Sequence, residues 1–394
     1  MAQDDLTKIL GVSKSDVDRG MNLHQESIVC DAQFNEPAVF SEPLIAKTKE
    51  LLDRKLRGWA VFSQIDNFRV AEIAKGGKAR DLYTEAWKLS GVTAGSTTLG
   101  YDMAAIGHAV HKNDILSDLG IGLKATRADH ILAAKKTGRH AIIWNFQDSI
   151  ALEPPRVWVE DNLALLEAYY NVGIRMIQLT YNLRNLSGDG CTERYQSGLS
   201  QFGVKVVEKM NELGMIVDTG HCGVQTTLDA VEVSKTPVAA SHTSCRSVYD
   251  HPRGKSDEEL QAIAEKGGFI GVYTHPAFIT KGGRGTVKDF LDHVDYLVKL
   301  VGVDHVGIGT DCWDISNISD MLVDAMDKEV GRFWTGFTKE HEISRWVHPP
   351  KTGPLAWSNW PSLTIGLISR GYSDQEIKKI IGENFLNIFR EICG

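Results

Sequence analysis

The sequence lacks several features that would place it directly in a class of proteins. Its 394 residues carry a formal net charge of −8, and the lysines and arginines are scattered, so a nucleic-acid partner is not indicated. No apolar run approaches the length that spans a bilayer. The first residues lack the basic start and apolar core of a signal peptide, and the last residues carry no lipid-anchor signal. We therefore expect a soluble protein with no membrane partner.

Cysteine is scarce and forms no recognisable pattern. The six cysteines lie at positions 30, 191, 222, 245, 312 and 393, without a C-x-x-C pair. In a chain of this length, such spacing favours reduced thiols over a disulfide framework. The hydrophobic fraction of 42% and the charged fraction of 24% are typical of a globular protein. These observations predict a cytoplasmic location.

One stretch, residues 214–242, places two histidines at corresponding points of consecutive predicted strands. An apolar run at 215–217 leads to His221, a predicted helix follows, and a second run at 237–240 ends at His242. In a parallel α/β barrel the active site lies at the carboxyl ends of the strands. Two imidazoles from neighbouring strands can hold one metal ion there. The alternative is a pair of hydrogen-bonded histidines without a metal.

Eight apolar runs alternate with helical segments along the chain. They lie near residues 28, 59, 141, 174, 215, 238, 269 and 306. Alternation predicts a parallel sheet, and eight units predict an α/β fold, a (β/α)8 TIM barrel with extra helices, as a single domain over 1–394. We predict a helical lead-in at 1–26, a second strand at 58–63 and an elaborated crossover at 66–125. An open doubly wound sheet is the alternative, but it usually has a Gly-rich phosphate loop, which is missing here.

The ends of the predicted strands collect polar side chains that suit metal-assisted hydrolysis. They are Gln33, Asn35, Gln147, Tyr181, His221, His242, His275 and Asp311. Neutral imidazoles bind Zn²⁺, which lowers the pKa of a bound water, and a carboxylate such as Asp311 can take the proton of that water. A metal normally needs a third protein ligand. Candidates are Asp311, the Gln147 amide oxygen, His275, Cys222 and Cys312, although small buried cysteines more often serve packing.

Two arginines follow His242 in the loop that leaves its strand, Arg246 and Arg253. A guanidinium at this place can bind a substrate carboxylate in bidentate fashion. The alternative for each is a surface ion pair, which is the weaker explanation for Arg253. For His275 we consider both a hydrogen-bonded structural role and contact with the substrate.

Four segments together resemble the membrane (renal) dipeptidase family of the amidohydrolase superfamily, and the resemblance extends from about residue 26 to 392. The segments are residues 179–223 (LTYNLRN…DTGHCG), 238–254 (VAASHTSCRSVYDHPRG), 305–314 (HVGIGTDCWD) and 371–390 (GYSDQ…NIFR). The resemblance implies a (β/α)8 barrel, often a homodimer, that hydrolyses dipeptides with two zinc ions.

The resemblance also implies roles for four residues. His221 and His242 match the two histidines of the family's second metal site. Asp311 matches the aspartate at the end of the last strand, which is a first-site ligand and an acid/base group. Arg253 matches the arginine that binds the substrate's carboxylate.

Three positions depart from the family pattern. The His-x-Asp motif after the first strand is Gln33-Phe-Asn35 here, the bridging glutamate is Gln147, and the histidine that polarises the substrate carbonyl is Tyr181. Two dications a few ångströms apart need anionic ligands to offset their repulsion. We therefore expect the first metal to be absent and one divalent ion, zinc, to lie at His221 and His242.

The sequence thus leaves three functions open. The first is a hydrolase of a small amide, dipeptide or N-acyl amino acid, with a metal held by His221, His242 and Gln147. Asp311 would act as base and Tyr181 would support the oxyanion. The expected substrate-binding residues are Arg253, Gln33, Asn35 and His275. The second is a lyase or isomerase, metal-free or not, in the same pocket. The third is a non-catalytic binding protein.

Overall fold

One parallel sheet forms the centre of the fold. The computed structural model describes residues 3–34, 36–37, 41–54, 59–101, 103–152, 159–281, 285–312, 355 and 357–394. The strands are β1 Cys30–Phe34, β2 Ala94–Thr98, β3 Gly122–Lys124, β4 His140–Phe146, β5 Ile174–Gln178, β6 Ile216–Asp218, β7 Ala239–Thr243, β8 Phe269–Val272 and β9 Val306–Ile308. Eight of them follow one another in the order β1-β2-β4-β5-β6-β7-β8-β9, and β3 pairs with the start of β4. The predicted TIM-barrel fold class is confirmed.

Helices connect the strands and precede the first one. They are α1 Gln3–Leu10, α2 Lys14–Glu26, α3 Glu42–Asp53, α4 Trp59–Lys75, α5 Lys78–Ser90, α6 Met103–Asp118, α7 Ala128–Thr137, α8 Val159–Val172, α9 Gln201–Leu213, α10 Val224–Val233, α11 Asp257–Glu265, α12 Pro276–Ile279, α13 Val287–Val301, α14 Pro361–Ser369, α15 Asp374–Lys378 and α16 Asn384–Cys393. A π-helical turn, Lys379–Glu383, joins the last two. Among the described helices, none is both long and apolar enough to cross a membrane.

The prediction of a second strand at 58–63 is wrong, because residues 59–63 begin helix α4 and residue 58 lies outside the described residues. A short apolar run cannot be assigned to strand or helix by periodicity alone. Further along the same helix Ile65, Val70 and Ile73 are buried, but the apolar residues of this segment show little helical periodicity that would identify it from sequence.

The second barrel strand is β2, which lies inside the segment predicted as a crossover. Its sequence, AGSTT, offers little apolar signal. A Cβ on Gly95 would lie 2.3 Å from the Phe34 ring, so the residue at this point of the strand must be small where that ring packs against it. Seven of the eight predicted barrel strands are in place.

The seam between β1 and β9 is held by a buried carboxylate. Asp31 accepts hydrogen bonds from the Thr310 backbone nitrogen and hydroxyl at 2.8 and 2.7 Å, and from the indoles of Trp357 and Trp360 at 3.2 Å each. The backbone nitrogen of Asp311 donates to the Gln33 carbonyl at 2.9 Å. These bonds draw the last strand against the first and nearly close the barrel.

The carboxyl-terminal helix closes the opposite end of the barrel. Phe385 and Phe389 belong to a buried cluster with small and apolar strand residues such as Ala94 and Ala239. The Asn384 amide donates to the Val303 and Val306 carbonyls, at the start of β9, at 2.7 and 2.8 Å. Helix α16 therefore covers the amino-terminal ends of the strands and leaves their carboxyl-terminal ends uncovered.

Candidate active site

The candidate residues follow the ends of different barrel strands, as the sequence predicts. Gln33 lies in β1, Gln147 follows β4, Tyr181 follows β5, His221 follows β6, His242 lies in β7, His275 follows β8 and Asp311 follows β9. Asn35 lies outside the described residues. Parallel strands gather these positions at one edge of the sheet, so a shared site depends on which side chains point inward.

The structure brings His221 and His242 together at the centre of this edge. Their Nε2 atoms are 3.0 Å apart, and both side chains are buried. Tyr181 stacks on the His221 ring, with ring centroids 4.1 Å apart. Burial, followed by the nearby Arg253 guanidinium, lowers the pKa of each imidazole well below its usual value. Both rings are therefore neutral near pH 7, which is the form that binds metals.

Each imidazole has a polar partner behind it. His221 Nδ1 lies 2.7 Å from Asn182 Oδ1, and His242 Nδ1 lies 2.8 Å from Ser241 Oγ. The Ser241 hydroxyl donates to Asp218 Oδ2 at 2.5 Å, so its oxygen accepts from His242. The 3.0 Å between the two Nε2 atoms is a hydrogen bond when His221 carries its proton on Nε2. When Nδ1 is the donor on both rings, the two Nε2 lone pairs converge on one point, where they can serve as two ligands of a cation. Outer hydrogen bonds of this kind orient metal-binding histidines.

A second metal does not fit the residues present. Gln33 Nε2 donates to Thr98 Oγ1 at 3.0 Å, Thr98 Oγ1 donates to Asn145 Oδ1 at 2.9 Å, and the Asn145 amide donates to Gln33 Oε1 at 3.0 Å. This closed ring is neutral and uses the donors and acceptors of Gln33. Of the described residues, no three His, Cys, Asp or Glu side chains group as a metal site, and this holds for the surroundings of His221 and His242 as well. Charge and geometry thus disfavour a binuclear centre.

Two glutamines at the ends of β4 and β5, Gln147 and Gln178, are joined by a hydrogen bond. Gln147 is half-buried, and its backbone carbonyl accepts a hydrogen bond from Gln178 Nε2 at 2.7 Å. Gln178 is buried, and its Oε1 has no partner among the described residues. A Cβ on Gly220 would lie 2.8 Å from that oxygen and 3.2 Å from the His242 ring. Glycine at 220 therefore permits the close approach of a buried acceptor to His242.

Asp311 has an unusual backbone and a shifted proton affinity. Its φ of 50° is the one left-handed value among the described non-glycine residues. Such strain is typical of functional sites. Burial raises the pKa of its carboxyl to about 7, opposed by the Arg253 guanidinium and assisted by the Asp31 carboxylate. A carboxylate that titrates near neutral pH is suited to general-base catalysis.

Arg253 is buried and has no carboxylate partner among the described residues. Only 1% of it is exposed, its Nη1 donates to the Gly220 carbonyl at 2.5 Å, and its Nε and Nη2 make no hydrogen bond within that part of the chain. The Cys191 thiol lies near the guanidinium, which opposes the rise that burial causes in the pKa of that thiol. The guanidinium lies 5.6 Å from the Tyr273 ring centre and 5.8 Å from that of Phe278. A buried cation with open donors demands an anion. This geometry favours the carboxylate-binding explanation over a surface ion pair.

The other candidates take supporting places. Arg246 lies 3.9 Å from the exposed Asp250 carboxylate, which fits the ion-pair alternative. His275 caps helix α12 and stacks on Phe278, with ring centroids 4.5 Å apart. The Phe278 ring also lies near the Arg253 guanidinium. Cys222 and Cys312 are buried free thiols, which fits the packing alternative.

The structure also shows polar residues that the sequence reading missed. They are Asn182, Asp218, Ser241, Gln178, Asn145, Thr98 and Asp31. All except the half-buried Thr98 are buried, and most lie within the strands rather than after them. A polar residue inside an otherwise apolar strand is the signal that would have indicated them, since buried polar groups need partners.

The chain matches the family model described as Membrane dipeptidase (Peptidase family M19) over residues 18–329. It is similar to an uncharacterized dipeptidase of Schizosaccharomyces pombe, with 37% identity over 163 residues, which is 39% of this chain and 38% of that protein. It is also similar to a dipeptidase of Clonostachys rogersoniana, with 29% identity over 236 residues, 59% of this chain and 52% of that protein. The chain spans about half or less of the length of these curated relatives.

Solved structures with the same fold cover nearly the whole chain. An amidohydrolase from Pseudomonas aeruginosa has a TM-score of 0.71 and 27% identity, over 95% of this chain and 98% of that one. A metallo peptidase from Rhodobacter sphaeroides, liganded with a phosphinate mimic of the dipeptide L-Ala-D-Ala, has a TM-score of 0.63 and 16% identity, over 93% and 100%. The second likeness concerns the fold alone.

Proposed function

Because the chain belongs to the membrane dipeptidase family, peptidase family M19, we propose that it is a dipeptidase-like hydrolase that uses one divalent metal ion, with zinc the first candidate. The proposed substrate is a small amide with a free carboxylate, such as a dipeptide or an N-acyl amino acid. The observation that carries the proposal is the convergence of the Nε2 atoms of His221 and His242, 3.0 Å apart.

His221 and His242 would hold the ion, with the amide oxygen of Gln147 as the expected third ligand. An ion held there supplies Lewis-acid activation of water and of the substrate carbonyl. Asp311 accepts the proton of the attacking water, since its carboxyl titrates near neutral pH. The Tyr181 hydroxyl, whose pKa is raised by burial and by Asp311, keeps its proton and donates to the developing oxyanion.

The open donors of Arg253 support a substrate that carries a free carboxylate. Its open Nε and Nη2 donors present the two parallel N–H groups that a carboxylate accepts in bidentate fashion. The charge of this guanidinium opposes the rise in the pKa of both Asp311 and Tyr181. We therefore propose that the substrate carboxylate binds beside these two groups.

The test compares dipeptides with their carboxyl-terminal amides in the wild type and in Arg253→Met. We expect the wild type to prefer the free acid, and the variant to lose roughly 10- to 100-fold in kcat/KM for the acid only, since a charge-assisted pair contributes about 1.5–3 kcal/mol. Arg246→Met, in the same loop but partly exposed, is the matched control and should stay near wild type. Equal turnover of acid and amide by the wild type would contradict the proposal.

A metal-free lyase or isomerase is the second candidate. The closed cycle of hydrogen bonds among Gln33, Thr98 and Asn145 favours it, because these neutral side chains contribute no charge that would hold a cation nearby. His221, His242 and Asp311 would then exchange protons with the substrate. Metal content per chain after zinc loading separates the candidates: about one ion supports the hydrolase, and none supports the metal-free reaction.

For the molecule as a whole we propose a cytoplasmic homodimer. The six cysteines are all free thiols, which is the state favoured by a reducing compartment. Sedimentation of the purified protein would decide the association state, and a monomer at micromolar concentration would contradict this part of the proposal.

A further inference from the structure

The polar chain behind His242 runs in one direction only. Asp218 Oδ1 accepts from the backbone nitrogens of Gly220 and Ser241 at 3.0 and 2.8 Å, and its Oδ2 accepts from Ser241 Oγ at 2.5 Å. Burial raises the pKa of the Asp218 carboxyl, and its hydrogen bonds with Ser241 and Gly220 act in the opposite direction. As a carboxylate, Asp218 is an acceptor only. The Ser241 hydroxyl proton therefore points to Asp218, and the Ser241 oxygen must accept from His242 Nδ1.

The partner behind His221 has no such direction. Asn182 is an amide, so it can present Oδ1 to an N–H of the ring or, after turning over, Nδ2 to a ring lone pair. In the structure Oδ1 faces His221 Nδ1 at 2.7 Å and accepts a hydrogen bond from the Cys191 thiol at 3.5 Å, and Asn182 Nδ2 has no partner among the described residues. A thiol is a weak donor and a weak acceptor, so it allows either orientation of the amide. The two imidazoles therefore have different supports, one fixed and one reversible.

We infer that Asp218 and Ser241 are positioning residues that keep the lone pair of His242 on Nε2, while Asn182 lets His221 adopt either tautomer. His242 then always offers its lone pair to the cation point. His221 adds a second lone pair when a cation is bound, and donates Nε2–H to His242 when none is. This inference rests on the proposed metal role of the histidine pair and assigns the residues that control it.

The inference makes a specific prediction for Asp218→Asn, which keeps the shape of the side chain. The two backbone N–H groups at Oδ1 would hold the amide oxygen in place, so Nδ2 would face Ser241 Oγ. The serine would then donate to His242 Nδ1, and His242 would carry its proton on Nε2. We expect zinc affinity to fall roughly 10- to 100-fold, as for other losses of outer hydrogen bonds at metal sites.

The double variant Asp218→Asn/Ser241→Ala separates direction from packing. Without the hydroxyl, nothing donates to His242 Nδ1, and the ring can again offer Nε2. We therefore expect the double variant to bind zinc more tightly than Asp218→Asn alone and about as well as Ser241→Ala. If Asp218 and Ser241 act only by packing, the double variant should be the weakest of the three. Affinity is measured by competition with a chelator, and circular dichroism checks the fold.

Nitrogen NMR of ¹⁵N-histidine-labelled protein without metal gives an independent reading. We expect His242, identified by its loss in His242→Gln, to carry its proton on Nδ1 in the wild type and on Nε2 in Asp218→Asn. A wild-type His242 protonated on Nε2 would overturn the inference, even if the protein binds zinc and hydrolyses dipeptides. A wild type that binds no zinc would instead overturn the metal part of the proposed function. The NMR comparison would still decide whether Asp218 and Ser241 set the tautomer of His242.

Discussion

Burial decides which ionisable side chains of the barrel mouth change charge near neutral pH. It lowers the pKa of both His221 and His242 well below the usual value and raises that of Asp311 to about 7. The imidazoles are therefore neutral over the range in which Asp311 titrates. A single ionisation should dominate the acid side of the pH dependence.

For hydrolysis we expect kcat/KM to rise with pH through about 7 and then level off. A base acts only when deprotonated, so at pH 6 about one tenth of the molecules would be active. Asp311→Asn should lower kcat by roughly 100- to 10,000-fold and remove the pH step, since that is the usual contribution of a general base. Initial rates between pH 5 and 9 measure this. A step that persists in the variant would assign the ionisation to another group.

Replacing either histidine tests the cation point directly. His221→Ala and His242→Ala should each abolish bound zinc and activity, because one imidazole lone pair cannot hold the ion that two converge on. Elemental analysis and circular dichroism measure metal and fold. Full activity in both variants would show that neither imidazole takes part in the reaction.

At the scale of elements, the loop between β6 and α10 and the strand β7 build most of the site. They supply His221, Gly220, Ser241 and His242, and the loop after β7 supplies Arg253. The seam between β1 and β9 then decides where Asp311 lies, since its backbone nitrogen binds the Gln33 carbonyl. The same contact between β1 and β9 therefore closes the barrel and positions Asp311.

Asp31→Asn should weaken this seam. An amide nitrogen at the Oδ2 position would face the Thr310 hydroxyl and the two indoles, which all donate. We expect a loss of about 3 kcal/mol in the free energy of unfolding at pH 8, the scale of a buried charge-assisted hydrogen bond. Denaturant unfolding measures it. Asp374→Asn, an exposed carboxylate paired with Arg19 at the surface, should change stability by less than about 1 kcal/mol.

At the scale of the whole molecule, the two ends of the barrel have separate tasks. The carboxyl ends of the strands carry the candidate site, and helix α16 packs its apolar face against the other end. Stability and function should therefore respond to different substitutions.

Phe389→Ala should cost about 3–5 kcal/mol of stability, because a buried ring is lost and a cavity remains. KM for a substrate should stay unchanged at temperatures where the variant is folded. Arg390→Ala, the neighbouring exposed residue on the same helix, should shift stability by no more than about 0.5 kcal/mol. A changed KM in Phe389→Ala would mean that the two ends of the barrel are coupled.

Local sequence signals were sufficient for most of the barrel. Helix α11 begins at the capping box of Ser256 and Glu259, and helix α7 ends at Gly138 in the left-handed conformation. The sequence does not predict strand β2, because its small residues are required by contact with Phe34, which lies 61 positions before Gly95. Helix α4 was misjudged because its first turn is as apolar as a strand.

The sequence by itself determined the barrel, the strand-end positions of His221, His242 and Asp311, and the family resemblance, because periodicity and chain order are local properties. Only the tertiary structure decided how these groups are supported. The facing Nε2 atoms, the buried guanidinium of Arg253 with open donors and the path from Asp218 through Ser241 to His242 all join separate strands or loops. Hydrogen-bond direction and burial depend on neighbours in space, and these neighbours are fixed only when the barrel closes.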